Sequence, residues 1–372
     1  MTTNDKDPVL SLPADESEAL AGLGDADLQH RLLAGVSRTF ALTIPQLPEP
    51  LCHAVSNAYL LCRIVDTIED EPALPTAHKR RFCVQFADTV AGRHSPQVLA
   101  DELCPLLSEQ TLAAEHMLVR LIPRVVGITH RLTERQRRPI ERCVAVMADG
   151  MAEFQAGAGP EGLSDLPALD RYCYYVAGVV GEMLTELFCD YSPAIEARRD
   201  DLLRLAVSFG QGLQMTNILK DIWEDRDRGV CWLPRDAFGP TGFEPGELER
   251  GEYRDAFGNG LANLIGIAHG HLKDALSYSL IIPAQEAGIR NFCLWAAGMA
   301  VLTLRRINER RDFRAGRDVK ISRRSVRITV AALRLTCARN SLVRLLFFLA
   351  GIGLPGRSEC KRLRALNMPP GT

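Results

Sequence analysis

Apolar residues recur along most of the chain at helical spacing, and alternation at period two is absent. Residues 51–71 lack proline and glycine, and Pro72 closes that run. Residues 111–128 and 137–156 read as further helices. Residues 164–170 look like an entry region, followed by apolar runs at 172–181 and 183–188. Glycines 178 and 181 lower helix propensity, so they are expected to admit another helix or a ligand at close range. Residues 196–226 read as one long helix despite Gly210 and Gly212, with Gly229 and Pro234 marking its exit. A polar loop rich in Gly, Pro and Glu is expected over 235–252, with helices resuming near 253, 285 and 324. The pattern predicts an all-α fold: residues 1–30 as a disordered tail, 31–354 as a single helical domain, and 355–372 as a basic tail.

Within this pattern an acidic pentapeptide occurs twice. Asp66-Thr-Ile-Glu-Asp70 closes the first long run, and Asp221-Ile-Trp-Glu-Asp225 sits in the 196–226 run. Residues four apart share a helical face, and Glu69 lies beside its pair. Clustered carboxylates resist full ionisation unless a cation neutralises them. Oxygen-only donors with no nearby His or Cys suit Mg²⁺, which binds through a few carboxylates plus substrate phosphates. Asn217, one turn before Asp221, extends the same face and offers an amide oxygen, with Gln214 a weaker candidate. A solvated acidic face explains one such cluster; two in matching apolar settings favour metal binding.

Basic residues accompany both clusters. Arg63 precedes Asp66 by three positions, Arg38 lies upstream, and Lys220, Arg226 and Arg228 surround the second motif. Guanidinium forks suit the free oxygens of a metal-bound diphosphate, though Arg63 also fits an intrahelical bridge to Asp66. Tyr59 sits one turn before Arg63. Because the motifs lie in different halves, one cavity requires both halves folded together.

Composition narrows the remaining choices. The chain is 47% apolar and 24% charged, which supports a substantial core. Its 44 basic and 46 acidic side chains nearly cancel, so nothing global points to nucleic acid. The eleven cysteines are scattered through apolar runs, as expected of buried thiols in a reducing cytoplasm. No stretch reaches the ~18 uninterrupted apolar residues of a spanning helix. Residues 342–354, broken by Arg344, fit either a core helix or a surface-lying one. His269 and His271 share no helical face and read as structural or exposed. No Gly-x-Gly-x-x-Gly or phosphate-loop signature is present. The residues alone leave open an all-helical Mg²⁺-dependent pyrophosphohydrolase and a non-enzymatic helical interaction protein.

Where these residues coincide, the chain resembles the squalene and phytoene synthase family of head-to-head prenyl transferases, from about Gly35 to Val326. The resemblance rests on Ser37-Arg-Thr-Phe40, Tyr59-Leu-Leu-Cys-Arg63, both acidic motifs, Met151-Ala-Glu-Phe154 and Met215-Thr-Asn-Ile-Leu-Lys-Asp221. Within the family, Tyr172-Cys-Tyr-Tyr-Val-Ala-Gly178, the block from Phe292 to Leu304 and Val319-Lys-Ile321 resemble squalene synthase. The resemblance implies an isoprenoid-synthase helical bundle with a central active-site cavity. It also implies two farnesyl diphosphates joined to presqualene diphosphate and reduced by NADPH to squalene, in a Mg²⁺-dependent reaction. A sister activity that stops at dehydrosqualene or presqualene diphosphate is the alternative.

The same resemblance assigns roles. Tyr172 matches the tyrosine that handles the proton in cyclopropane formation, although a free phenol near pKa 10 is a poor base unaided. Phe40 and Phe292 match aromatics that shield carbocations. Asp66, Glu69, Asp70, Asn217, Asp221 and Asp225 match the metal site, and Ser37, Arg38, Tyr59 and Arg63 the diphosphate contacts, with Arg228 a substitute two positions away from the usual arginine rather than a positional match. Lys320, Arg323, Asn217 and Gln214 match the cofactor side. Two departures stand out: Val230 where arginine is usual, and Lys320-Ile-Ser-Arg323 where Lys-Ile-Arg-Lys is usual. The eukaryotic members' C-terminal anchor is not seen, so the chain resembles a bacterial form. It is expected to be a cytoplasmic monomer, peripheral on the inner face of the membrane.

Overall fold

The computed structural model describes residue 20 and residues 22–155, 159–249 and 254–356. Among these the regular structure is helical, apart from one isolated bridge between Leu163 and Pro234. The described chain forms two compact units. The first comprises Met1–Pro45 with Glu49–Asp149, and the second Gln46–Pro48 with Gly150–Thr372.

The first unit holds α1 (Asp25–Val36), α2 (Glu49–Asp70), α3 (Thr76–Val90), α4 (Pro96–Leu103), α5 (Ala113–Arg120) and α6 (Ile122–Arg131). Most of α7 (Glu134–Gln155) also belongs to it. Leu51, Val55, Leu61, Val65 and Ile68 of α2 are buried at helical spacing, so one face of the helix packs inward. The buried amide of Asn57 donates to Thr129 Oγ1 at 2.7 Å, fixing α2 against α6. The folded region begins earlier than the expected tail allows. Residues 25–30 belong to α1, held by Asp25 through ion pairs to Arg124 and Arg131. The expected helix over 111–128 is broken at Leu121. Pro123 stands in the first turn of α6 and cannot donate back to residue 119, so a new helix starts there.

The second unit holds α8 (Leu166–Cys173), a π-helical turn (Tyr174–Gly178), α9 (Val179–Tyr191), α10 (Arg199–Lys220) and α11 (Ile222–Asp227). It continues with α12 (Asp255–Ile281), α13 (Ala287–Glu309), α14 (Arg323–Thr336) and α15 (Asn340–Ala350). Helix α10 packs against α9, α12 and α13. The closest approaches use glycine: a Cβ on Gly181 would stand 2.1 Å from Ala206 O, and one on Gly210 2.1 Å from Ala177 O. Gly181 therefore admits another helix, as its sequence setting predicts, and Gly178 meets Val207 of the same neighbour.

Two expectations change here. The 196–226 helix is two helices, because the chain bends out of regular geometry at Asp221 (φ −100°, ψ 18°). The 235–249 part of the expected polar loop folds as short 3₁₀ turns that bury Phe238, Phe243 and Leu248. Phe238 stacks on Phe257 and Phe243 meets both rings at a tilt, so the segment is an apolar plug despite its composition. Finally, α13 is apolar enough on average to cross a membrane, but 83% of that window is buried, which makes it a core helix. His269 and His271 are both buried. The ten described cysteines are free thiols, eight of them buried. Tail residues 1–19, 21 and 357–372 lie outside the described residues.

Candidate active site

In the first unit, Tyr59, Arg63, Asp66 and Asp70 follow one another at spacings of four, three and four on the last three turns of α2. They therefore share one face of the helix. Upstream, Ser37 ends α1 and its hydroxyl caps the turn by accepting from Phe40 N at 3.0 Å. The same hydroxyl bonds the Tyr59 phenol, and Phe40 packs on the Tyr59 ring with centroids 5.0 Å apart. Ser37, Phe40 and Tyr59 thus converge, while Arg38 is exposed beside them. Burial raises the Tyr59 phenol above its ordinary value.

Arg63 makes the intrahelical ion pair with Asp66 that its sequence position allows, and a closer one besides. Its strongest partner is the buried Glu115 of α5, with Asp66 a looser neighbour at 3.9 Å. Its buried Nε meets no acceptor. Glu115 was not visible as a partner in the sequence, since it lies on a different helix and carries no local motif. Burial pushes the Asp66 carboxyl up to about 7; Arg63 opposes this, while Asp70 and Glu115 add to it. Its side chain nevertheless keeps 31% of its exposure, so a ligand can reach it. Glu69 lies on α2 beside this face, and Asp70 is exposed at the helix end. Glu71 plays a different part. It is fully buried and accepts from Ala73 N, Ser108 N and the Thr111 hydroxyl, so it anchors the 104–112 segment to the end of α2.

In the second unit, the break at Asp221 sets the carboxylates of the second motif. Asp221 pairs with Lys220 at 2.8 Å, and burial raises its carboxyl against that pull. Asp225 is buried and accepts from Arg228 at 2.6 Å. Arg226 is spent on the carbonyls of Pro160, Pro245 and Gly246, so it binds the loops rather than a ligand. Asn217 is exposed one turn before Asp221 and accepts its amide at 2.8 Å through the main chain; Gln214 is half-buried. A segment distant in sequence closes on this motif. Trp223 Nε1 donates to Phe313 O at 2.7 Å, and Gly316 N donates to Glu224 at 2.9 Å. A Cβ on Gly316 would stand 2.9 Å from Asp221 Oδ1, so only glycine permits this approach without displacement.

Tyr172, at the end of α8, is 5% exposed. Its ring lies flat on Trp232, with centroids 3.8 Å apart, and meets the edge of Phe154 at 5.5 Å. Trp232 is held in place because Leu163 N donates to Leu233 O and Arg235 N to Leu163 O, each at 3.0 Å. Gln211 of α10 donates to Asp170 O at 3.2 Å, fixing α8 against the helix that ends at Asp221. The π-helical turn just after Tyr172 has no sequence signature, although such turns occur often at functional sites. Phe292 is buried in the core with its ring edge-on to Phe188 at 6.1 Å.

Lys320 lines a recess of about 360 Å³ with Arg305, Arg306, Glu309, Ser322 and Ser325. Arg323 is exposed at the start of α14 and is not among the residues lining that recess. Arg305 and Arg306 were missed by sequence reasoning, because they lie at the end of α13 with nothing local to set them apart. Among the described residues no three His, Cys, Asp or Glu side chains are grouped to hold a metal.

With this geometry in place, comparison with known proteins gives the family. Residues 33–325 match the description "Squalene/phytoene synthase". The chain belongs to that family. It is 29% identical over 287 residues to "Squalene synthase BSS" of Botryococcus braunii, covering 75% of this chain and 58% of that protein. It is 29% identical over 312 residues to the squalene synthase of Schizosaccharomyces pombe, covering 80% and 65%. The chain therefore spans less than two thirds of the length of these relatives. Among solved structures, the complex of TcSQS with E5700 matches with a TM-score of 0.70 at 23% identity, covering 92% of this chain and 96% of the other. The fold is the all-α bundle of that family, and the match crosses both units.

Proposed function

We propose that the protein is a squalene synthase: it condenses two farnesyl diphosphates to presqualene diphosphate and reduces this with NADPH to squalene. The reading is carried by the family match, which spans both acidic motifs and the Tyr172 segment. The residues suit a diphosphate held with Mg²⁺. Burial leaves Asp66 short of positive charge, the Arg63 guanidinium has a buried donor unspent, and the second motif supplies further oxygen donors. Asp66 and Asp70, with Glu69 beside them, would hold Mg²⁺ for one diphosphate, and Asp221 and Asp225, with Asn217, would hold it for the other. Bound there, the metal supplies charge neutralisation of the leaving diphosphate.

The chain's own side chains account for the rest. Ser37, Arg38, Tyr59 and Arg63 orient one diphosphate, and Lys220 and Arg228 stand by the second motif for the other. Arg228 already engages Asp225, so it reaches substrate only by sharing that carboxylate. The Tyr172 hydroxyl handles the proton lost in cyclopropane closure, passing it to the departing diphosphate. The faces of Trp232, Phe154 and Phe40 exclude water and favour cationic intermediates. Phe292 supports the apolar wall from within the core.

The reductive half is supported by the recess at Lys320, whose lysine, two arginines and two serines suit the phosphates of NADPH once Glu309, which pairs with both arginines, yields to them. Gln214 and Asn217 would serve the same half-reaction, with Arg323 an outer contact. A synthase that stops at dehydrosqualene is the second reading. It is favoured by the Ser322 departure in the cofactor segment. We read the protein further as a bacterial-type form, monomeric and peripheral on the cytoplasmic membrane, supported by the half-exposed α15. Product analysis of the purified chain with farnesyl diphosphate and Mg²⁺, with and without NADPH, tests the proposal. Squalene that requires NADPH supports it, and the same product without NADPH would overturn the reductive half.

A further inference from the structure

Two carboxylates of the first unit lie within reach of Arg63. Asp66 is on the same helix, three residues on, with its oxygen 3.9 Å from Nη1. Glu115 comes from α5 and makes the closer contact, through Nη2. Glu115 is buried, so it gives up hydration to stand there. A charge that gives up water needs both a counter-ion and a fixed geometry.

The geometry is fixed without Arg63. The second Glu115 oxygen accepts from Leu112 N at 3.3 Å, in the first turn of α5, where a helix start favours negative charge. The segment leading into α5 is held from the end of α2, because Glu71 accepts from Ser108 N at 2.9 Å and from the Thr111 hydroxyl at 2.6 Å. The His116 ring bonds Ser108 O at 3.0 Å. Helix α1 also closes on α5, since a Cβ on Gly35 would stand 2.9 Å from that of Ala114. These contacts locate α5 by themselves. Glu115 therefore sets the guanidinium, and not the reverse.

We propose that Glu115 is a positioning residue that keeps Arg63 and Asp66 from spending their charges on each other, leaving the carboxylate for the metal and the guanidinium for the diphosphate. Without the Glu115 charge, Asp66 is the nearest anion to Arg63, at a spacing that forms ion pairs readily on a helix. Closing that pair would occupy both groups. With Glu115 in place, only Nη2 is committed. Nη1 stays beyond hydrogen-bond distance of Asp66, and Nε meets no acceptor. The inference rests on the proposed reading of Arg63 as a diphosphate contact and Asp66 as a metal ligand.

Calorimetric titration of the full chain with inorganic diphosphate in the presence of Mg²⁺ tests this, beside steady-state turnover of farnesyl diphosphate and thermal melts. Glu115→Gln keeps the shape and removes the charge, and should weaken diphosphate about ten-fold. The KM for farnesyl diphosphate should rise to match, with kcat at saturation within about two-fold, because Glu115 touches no substrate. Glu115→Asp keeps the charge but withdraws it by one methylene group, and should fall between Glu115→Gln and the wild type. Arg63→Gln should weaken diphosphate by about ten-fold or more. Adding Glu115→Gln to Arg63→Gln should weaken it no further, since the effect of Glu115 passes through Arg63. A lower melting temperature in both Glu115 variants with diphosphate affinity and KM unchanged would make the residue structural only and overturn the proposal. So would losses that multiply in the double variant. Wild-type affinity in Arg63→Gln would strike the proposed diphosphate contact itself, and the role of Glu115 with it.

Discussion

Tyr172 lies flat against Trp232, ring centroids 3.8 Å apart and planes 11° from parallel, with Phe154 at its edge. The stack restricts the phenol to one plane, and the strand-like contacts of Leu163 with Leu233 and Arg235 restrict the tryptophan. A proton-handling group gains from such restriction, because the hydroxyl need not be reoriented during the reaction.

Tyr172→Phe should therefore abolish presqualene diphosphate formation while leaving substrate binding and the thermal midpoint close to wild type. Trp232→Leu should lower turnover by releasing the ring, and it should also cost stability, on the order of 2–4 kcal/mol for the lost aromatic volume. Trp232→Phe should recover most of both. Single-turnover assays and thermal melts on the three variants separate the roles. Unchanged first-step kinetics in Tyr172→Phe would remove the hydroxyl from the mechanism.

The second prediction concerns pH. The Asp66 carboxyl stands at about 7 in the folded chain, above the ordinary aspartate value near 3.8. Between those values the native state holds a proton that the unfolded chain has released. Stability should therefore decline as pH rises from about 4 to about 7. Asp66→Asn should flatten that slope and raise the melting temperature at pH 7.5, with the difference shrinking toward pH 4. It should also abolish turnover. Mg²⁺ with inorganic diphosphate should restabilise the wild type at pH 7.5 more than the variant. A wild-type midpoint that rises over the same pH range would contradict the assignment of Asp66 as a buried, under-compensated carboxylate.

Glycine positions in the second unit give a third prediction. A methyl group at Gly210 would collide with the main chain at Ala177 and Gly178, and one at Gly181 with Ala206. Backbone cannot yield as a flexible side chain can. Gly210→Ala and Gly181→Ala should each destabilise by about 1–3 kcal/mol or more, measured by urea denaturation. Gly239→Ala, where nothing lies within 4 Å, should cost little and serves as the control.

The sequence conveyed the helices well because their buried stripes are regular and their ends carry proline or glycine. Pro72 and the end of α2 are the clearest case. It conveyed the acidic motifs and Tyr59-to-Arg63 spacing for the same reason, since all lie within a few turns of one helix. The break at Asp221 was not legible. No proline or glycine marks it, and the contacts around it come from Phe313 and Gly316, some ninety residues away. Glu115 beside Arg63 and Trp232 beside Tyr172 were hidden likewise, because each is a pairing between elements rather than a pattern within one. The 235–249 plug misled for a different reason: its large buried apolar residues, Phe238, Phe243 and Leu248, decide its packing, while its many Gly, Pro and Glu residues decide its composition.

The last prediction bears on whether the enzyme reduces its product. Lys320 shares its recess with Arg305 and Arg306, and with Glu309, which pairs with both arginines and leaves Lys320 the cation there that Glu309 does not engage in an ion pair. Lys320→Ala should weaken NADPH by about 1.5–3 kcal/mol, or ten- to a hundred-fold, through loss of one charge-assisted contact. Arg306→Gln should have a similar effect if the recess holds the cofactor. Neither change touches the acidic motifs, so presqualene diphosphate should still form and should accumulate at limiting NADPH. Raising NADPH should then recover squalene. Fluorescence titration of NADPH against each variant, beside product analysis, reads both quantities. Proportional loss of both half-reactions would instead make Lys320 a diphosphate or folding residue, and unaltered NADPH affinity in both variants would move the cofactor out of this recess altogether.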